Sequence, residues 1–259
     1  MANFTEETIS VAGSNLQVFK GGSGDPLLVL HGAGGNSGPR RYAQALAEKF
    51  TVYLPSHPGY GKSDRPEWVE SMQDLACFYT WFQEQEGLEN VRAVGFSMGG
   101  WLAAEMLSMT GHAFSKVMLV GAAGIKPQDG EIADIFIISP AQVRELVYHD
   151  PAQVPEWDEL FGSDPTPEQA NQAEGDREMA IRLTWKPYMY NPRLPAKLAR
   201  VSVPTHIVWG EQDALVPVEC ADLYQQALAG SEVTVISNCG HSPQIEKPDE
   251  FAQTALAFF

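Results

Sequence analysis

Cysteine is scarce in this chain: three in 259 residues, Cys77, Cys220 and Cys239. The set is odd and scattered and has no metal-ligand spacing, so it supports neither a disulfide framework nor a zinc site, and reduced structural thiols are expected. Basic side chains are also few, 17 Lys and Arg against 33 Asp and Glu, which leaves a formal charge of −16. Nucleic-acid binding depends on clustered cations that neutralise phosphate, so that class of partner is disfavoured. No apolar stretch approaches the roughly 18 residues needed to cross a bilayer. The N-terminus, Met1 to Glu7, lacks a basic segment followed by an apolar one. The expectation is a cytoplasmic protein with no membrane or nucleic-acid partner. Internal repeats and low-complexity tracts are absent as well.

What is present is ordinary globular composition, 44% hydrophobic and 19% charged, enough to bury one sizeable core. Two short β-rich runs, Thr8 to Val11 and Leu16 to Phe19, are joined across Gly13 and predict an antiparallel hairpin. Six continuous apolar runs follow, beginning at Leu27, Thr51, Val91, Val117, His206 and Val233. Runs of that kind suit parallel strands covered on both faces. Helical patterns separate them: Tyr42 to Lys49, Met72 to Glu86, Met98 to Met109, Pro217 to Leu228 and a last one from Pro248 to Phe259. Such alternation is the mark of an α/β fold with a mostly parallel sheet and helices on both faces.

One connection breaks the rhythm. Residues 126–200 separate two core strands over a distance too long for an ordinary loop. The stretch carries Phe136, Trp157, Phe161, Trp185, Tyr188 and Tyr190, with helical patterns near Ala141 to Tyr148 and Pro167 to Thr184. It is expected to form a helical cap inserted before the penultimate strand, leaving residues 1–125 and 201–259 as the core. Ordinary packing accounts for its aromatics, and solvated helix faces account for Arg144, Arg177 and Arg182 as well as a carboxylate-binding role does.

The chemistry concentrates in a few loops. Gly95-Phe96-Ser97-Met98-Gly99 follows an apolar run and opens a helix. Glycines two before and two after the serine permit the tight turn that lifts a hydroxyl above a sheet. A serine hydroxyl is a poor nucleophile at neutral pH and needs a base, and the base needs an orienting acid. Asp213, in Trp209-Gly210-Glu211-Gln212-Asp213, and His241, in Asn238-Cys239-Gly240-His241, each lie just past a strand. That is the edge where open α/β sheets gather ligand sites. Two other readings stand beside Asp213 as the acid: Asp213 as a cap of the helix near Pro217, and Glu211 as the acid in its place.

The order Ser97, Asp213, His241 resembles the α/β-hydrolase superfamily. So do His31-Gly32-Ala33-Gly34 and Ser56-His57-Pro58-Gly59-Tyr60-Gly61-Lys62-Ser63. The resemblance covers nearly the whole length. It implies Ser97 as nucleophile, His241 as general base, Asp213 as orienting acid, an oxyanion hole from the N–H groups of Ala33 and Met98, and structural hydrogen bonding for His31 and His57. No cofactor and no metal is implied.

Three activities follow as expectations. The first is hydrolysis of small to medium carboxylic esters through an acyl-enzyme on Ser97. The second is hydrolysis of a carbon–carbon bond of the meta-cleavage-product type, although Ser242-Pro243 stands where those enzymes usually have tryptophan after the histidine. The third, from another class, is a ligand-binding receptor that keeps a slow triad. A serine at position 97 disfavours the epoxide-hydrolase and dehalogenase chemistries of the family, which use aspartate.

Overall fold

A computed structural model describes residues 2–259. The chain forms, in order, β1 (Phe4–Val11), β2 (Ser14–Gly22), β3 (Pro26–Leu30), α1 (Arg41–Leu46), β4 (Thr51–Pro55), α2 (Met72–Gln85), β5 (Val91–Phe96), α3 (Met98–Thr110) and β6 (Phe114–Val120). The long connection then holds α4 (Pro140–Val147), α5 (Trp157–Phe161), α6 (Pro167–Thr184) and α7 (Leu194–Leu198). It leads to β7 (Thr205–Gly210), α8 (Glu219–Ala227), β8 (Glu232–Ile236), α9 (Pro243–Glu246) and α10 (Pro248–Phe258).

The eight strands make one sheet in the order β1-β2-β4-β3-β5-β6-β7-β8. The β1–β2 and β2–β4 pairs are antiparallel and the rest are parallel. This is the α/β-hydrolase fold that the motifs imply. Successive residues of a strand face opposite ways, so a run apolar throughout supplies two cores. Leu28 and Leu30 pack with α2 and α3 residues such as Tyr79 and Leu102 on one face. Leu27 and Val29 pack with Tyr42, Leu46 and Phe251 on the other.

Capping decides where two helices of the long connection begin. A reciprocal capping box of Ser139 with Gln142 starts α4 at Pro140, one residue before expectation, and one of Thr166 with Gln169 starts α6 at Pro167, where it is expected. α8 starts at Glu219 instead of Pro217, and α1 stops at Leu46. The short helices α5, α7 and α9 have too few residues to show a helical period in sequence. α7 packs against α3 and α8. Among the described residues no helix is long and apolar enough to cross a membrane.

Candidate active site

Four loops meet at the carboxyl ends of β3, β5, β7 and β8. Ser97 sits in the β5–α3 turn with φ 52° and ψ −116°, a left-handed conformation that typically costs a non-glycine residue about 1–3 kcal/mol. Four hydrogen bonds hold it there. Ser97 N–H donates to Val120 O at 2.8 Å, and Ser97 O accepts from Gly100 N at 3.0 Å, Trp101 N at 3.1 Å and Ala123 N at 3.2 Å. The flanking glycines are steric necessities: a Cβ on Gly95 would fall on the carbonyl oxygen of Gly99, and one on Gly99 would fall on that of Leu30. Gly32 approaches from β3 less tightly, since a Cβ there would lie 3.2 Å from Ser97 Cβ.

The structure brings Asp213 to His241. Asp213 Oδ2 lies 2.7 Å from His241 Nδ1, and Asp213 Oδ1 accepts from the N–H groups of Leu215 and Val216, both at 2.9 Å. A carboxylate on Nδ1 keeps the proton there and leaves Nε2 with its lone pair. Neither rival reading of this acid matches the contacts. α8 has no side-chain cap, and the exposed Glu211 instead accepts from Gln212 Nε2.

His241 Nε2 is buried and has no hydrogen-bond partner. No hydrogen bond joins it to Ser97 Oγ, yet both side chains line the same cavity. The His241 ring rests on Gly121, where a Cβ would come within 3.3 Å of Nδ1 and Cε1.

The N–H groups of Met98 and Ala33 donate to no acceptor among the described residues. Met98 is fully buried and is the first residue of α3, whose initial N–H groups have no partner within the helix. The Ala33 turn is held from behind by stacked imidazoles. His31 and His57 lie 3.7 Å apart between ring centres. His31 Nε2 accepts from His57 N–H at 2.9 Å, and His57 bonds Tyr79 at 2.6 Å and the His31 carbonyl at 3.0 Å. Burial pushes the pKa of His31 down to about 4 and that of His57 well below the ordinary histidine value. Both rings are therefore neutral structural hydrogen-bonding groups at pH 7.

The cavity has a volume of about 490 Å³, ample for a small ligand. The connection between β6 and β7 roofs it with Ile135, Val143, Val147 and Phe161. Of the six aromatics in that connection singled out above, only Phe161 lines the cavity. Trp157 packs on Phe161 at 4.7 Å and Tyr188 on Phe136 at 5.7 Å, while Trp185 is exposed. Arg177 bonds the Phe136 carbonyl, and Arg182 bonds the carbonyls of Glu67 and Val69 and pairs with Glu70.

One participant left no trace in the sequence. Glu246, on α9, accepts from Gly240 N–H and His149 N–H, both at 2.9 Å, while His241 N–H donates to Val147 O at 2.7 Å. Together these bonds tie the His241 loop to the connection between β6 and β7.

The family model for the alpha/beta hydrolase fold matches residues 25–248. A 2-hydroxy-6-oxo-6-(2'-aminophenyl)hexa-2,4-dienoic acid hydrolase of Metapseudomonas resinovorans is 25% identical, over 98% of this chain and 91% of its own length. An esterase of Exiguobacterium antarcticum superposes with a TM-score of 0.72 at 27% identity, covering 98% of this chain and 99% of the other. The 2-hydroxy-6-oxo-6-phenylhexa-2,4-dienoate hydrolase of a Rhodococcus species superposes with a TM-score of 0.83 at 22% identity, over 100% and 99% of the two chains, a likeness of fold. With the model matched across most of its length, the chain belongs to the α/β-hydrolase family.

Proposed function

We propose that the chain hydrolyses small to medium carboxylic esters through an acyl-enzyme on Ser97. The observation that carries this reading is the state of His241: its Nδ1 is held by Asp213, while its buried Nε2 is unpartnered in the cavity that Ser97 also lines. A ring so arranged accepts a proton at one nitrogen only. Contacts of this kind are often long without substrate and tighten when it binds.

His241 Nε2 takes the proton of the Ser97 hydroxyl as Oγ bonds to the ester carbonyl carbon. The carbonyl oxygen becomes an alkoxide, which the free N–H groups of Met98 and Ala33 stabilise. The carbon–oxygen bond to the alcohol breaks, and the alcohol leaves with the proton from His241. Water repeats the sequence on the acyl-serine and releases the acid.

A second reading is supported by relatives named as dienoic acid hydrolases over nearly the whole chain. In it the same serine cleaves a carbon–carbon bond of a vinylogous diketone. The decisive comparison is the hydrolysis of short and medium p-nitrophenyl esters and of a meta-cleavage diketone by the parent and by Ser97→Ala. Ester turnover that falls by about 10⁴-fold or more in the variant supports the acyl-enzyme reading. Faster diketone cleavage by the parent replaces the ester reading with the carbon–carbon one. A parent inert towards both makes a ligand-binding role the better account.

A further inference from the structure

The cavity is chemically lopsided. The chain carries 33 acidic side chains against 17 basic ones, yet no Asp or Glu lines this cavity, and two arginines, Arg40 and Arg144, do. Arg40 stands just before α1 and is mostly buried, and its Nε has no hydrogen-bond partner. Its ion pair is a long one, Nη1 to Glu159 Oε2 at 3.5 Å, with the glutamate side chain 70% exposed. Pairs of that geometry neutralise little.

Arg144, on α4, lies with its guanidinium 5.4 Å from the centre of the Phe161 ring and makes no ion pair among the described residues. Tyr148, which also lines the cavity, feels the positive charge of both arginines. Burial nonetheless pushes its phenol up to about 12, so it keeps its proton and stays a donor at neutral pH. The nearby acid, Glu246, is engaged by the Gly240 and His149 N–H groups.

The mostly buried Arg40 guanidinium beside an otherwise mostly apolar wall is costly unless an anion neutralises it, and Arg144 adds a second cation at the same wall. Their planar forks match a carboxylate, to which arginine bonds two-fold. The reacting carbonyl at Ser97 is neutral before attack, so the anion must be a second group on the same molecule. A chain of net charge −16 repels anions at long range, which makes a local pair of cations the more pointed.

We propose that Arg40 and Arg144 form an acid-binding pole and that the preferred substrates are half-esters of dicarboxylic acids, the free carboxylate held by the arginines while the ester carbonyl meets Ser97. The hydrolytic half of this statement rests on the function proposed above. The binding half stands on its own.

The test has two arms. In the first, kcat/KM is measured for mono-p-nitrophenyl esters of succinate, glutarate and adipate and for neutral p-nitrophenyl esters of matched length, with the parent, Arg40→Gln, Arg144→Gln and Arg144→Lys. The best half-ester should exceed its neutral counterpart by about 10-fold or more in the parent. That half-ester to neutral-ester ratio should fall by about 10–100-fold in each glutamine variant, the usual effect of losing a charged hydrogen bond. Arg144→Lys should recover part of it.

In the second arm, calorimetry follows binding of free adipate and glutarate to Ser97→Ala and to Ser97→Ala carrying Arg144→Gln. Binding should be present in the first protein and lost in the second. A parent that prefers neutral esters, or a ratio unchanged in both glutamine variants, overturns the acid-binding pole. If neither ester class turns over, the hydrolytic reading fails and dicarboxylate binding alone decides the pole. Should Arg40→Gln not fold, the half-exposed Arg144 carries both arms.

Discussion

Asp213 uses both carboxylate oxygens, Oδ2 against His241 Nδ1 at 2.7 Å and Oδ1 on the N–H groups of Leu215 and Val216 at 2.9 Å. The group that orients the imidazole thus also closes its own loop, which separates its two roles experimentally. In Asp213→Asn the amide oxygen can keep the loop bonds, while its NH₂ opposite Nδ1 forces the proton onto Nε2. Activity should drop by about 10³–10⁴-fold with a loss of stability no greater than about 1–2 kcal/mol. Asp213→Ala should lose both. Steady-state kinetics and urea unfolding on the same samples check this, and near-parental activity in Asp213→Asn would count against the orienting role.

The glycines of the serine turn and those of the neighbouring loop differ in what they can tolerate. A Cβ on Gly95 collides with the Gly99 backbone, whereas nothing lies within 4 Å of a Cβ on Gly34. Gly95→Ala should therefore cost about 3 kcal/mol or more or fail to fold, and Gly34→Ala should stay within about 0.5 kcal/mol of the parent. Thermal unfolding of the two variants compares them directly; equal stability would mean that the β5–α3 turn relaxes more readily than its packing suggests.

Burial holds the pKa of His31 at about 4 in the folded chain, below its ordinary 6.5, so the unfolded chain binds a proton that the folded one refuses. Its contribution to stability is intact above pH 6.5 and is lost as pH falls towards 4, by about 3 kcal/mol in all. His57, lowered in the same direction, adds to the loss. Unfolding free energies of the parent should fall over that window more steeply than those of His31→Gln, whose side chain can still accept the His57 N–H. Parallel pH profiles would remove His31 as the cause.

Glu105 has no exposed surface, and its carboxylate accepts from Gln73 Nε2, Trp101 Nε1, Asn191 Nδ2 and Lys197 Nζ at 2.6–3.2 Å. It joins α3, the helix that Ser97 opens, to α2 and to the stretch that includes α7. Replacing it with leucine strands several donors and a lysine, so Glu105→Leu should cost about 3–5 kcal/mol, with Glu105→Gln costing less. Urea unfolding reads this, and a cost below about 1 kcal/mol for Glu105→Leu would mean that water satisfies the orphaned groups.

Much of the fold was legible because its signals are local. The apolar runs at Leu27, Val91 and His206 suit strands covered on both sides, and the six parallel strands lie where such runs predict. The hairpin β1–β2 is longer than its apolar centre suggested, because its outer residues, such as Glu6 and Glu7, are exposed partners in the ladder. The capped start of α6 after Thr166 was legible to the residue, and that of α4 after Ser139 to within one. α5, α7 and α9 escaped because four or five residues do not complete enough turns to show a period.

At the candidate site, the serine turn was legible from Gly95 and Gly99, and Asp213 and His241 from their places after strands. The sequence by itself determined those features because backbone sterics and strand periodicity act between near neighbours. Only the tertiary structure decided that Asp213, not Glu211, bonds His241, that Glu246 ties the His241 loop to the connection between β6 and β7, and that Arg40 and Arg144 share one cavity. Those relationships depend on how loops from separate crossovers pack together, and no local pattern of residue types records a distance between them.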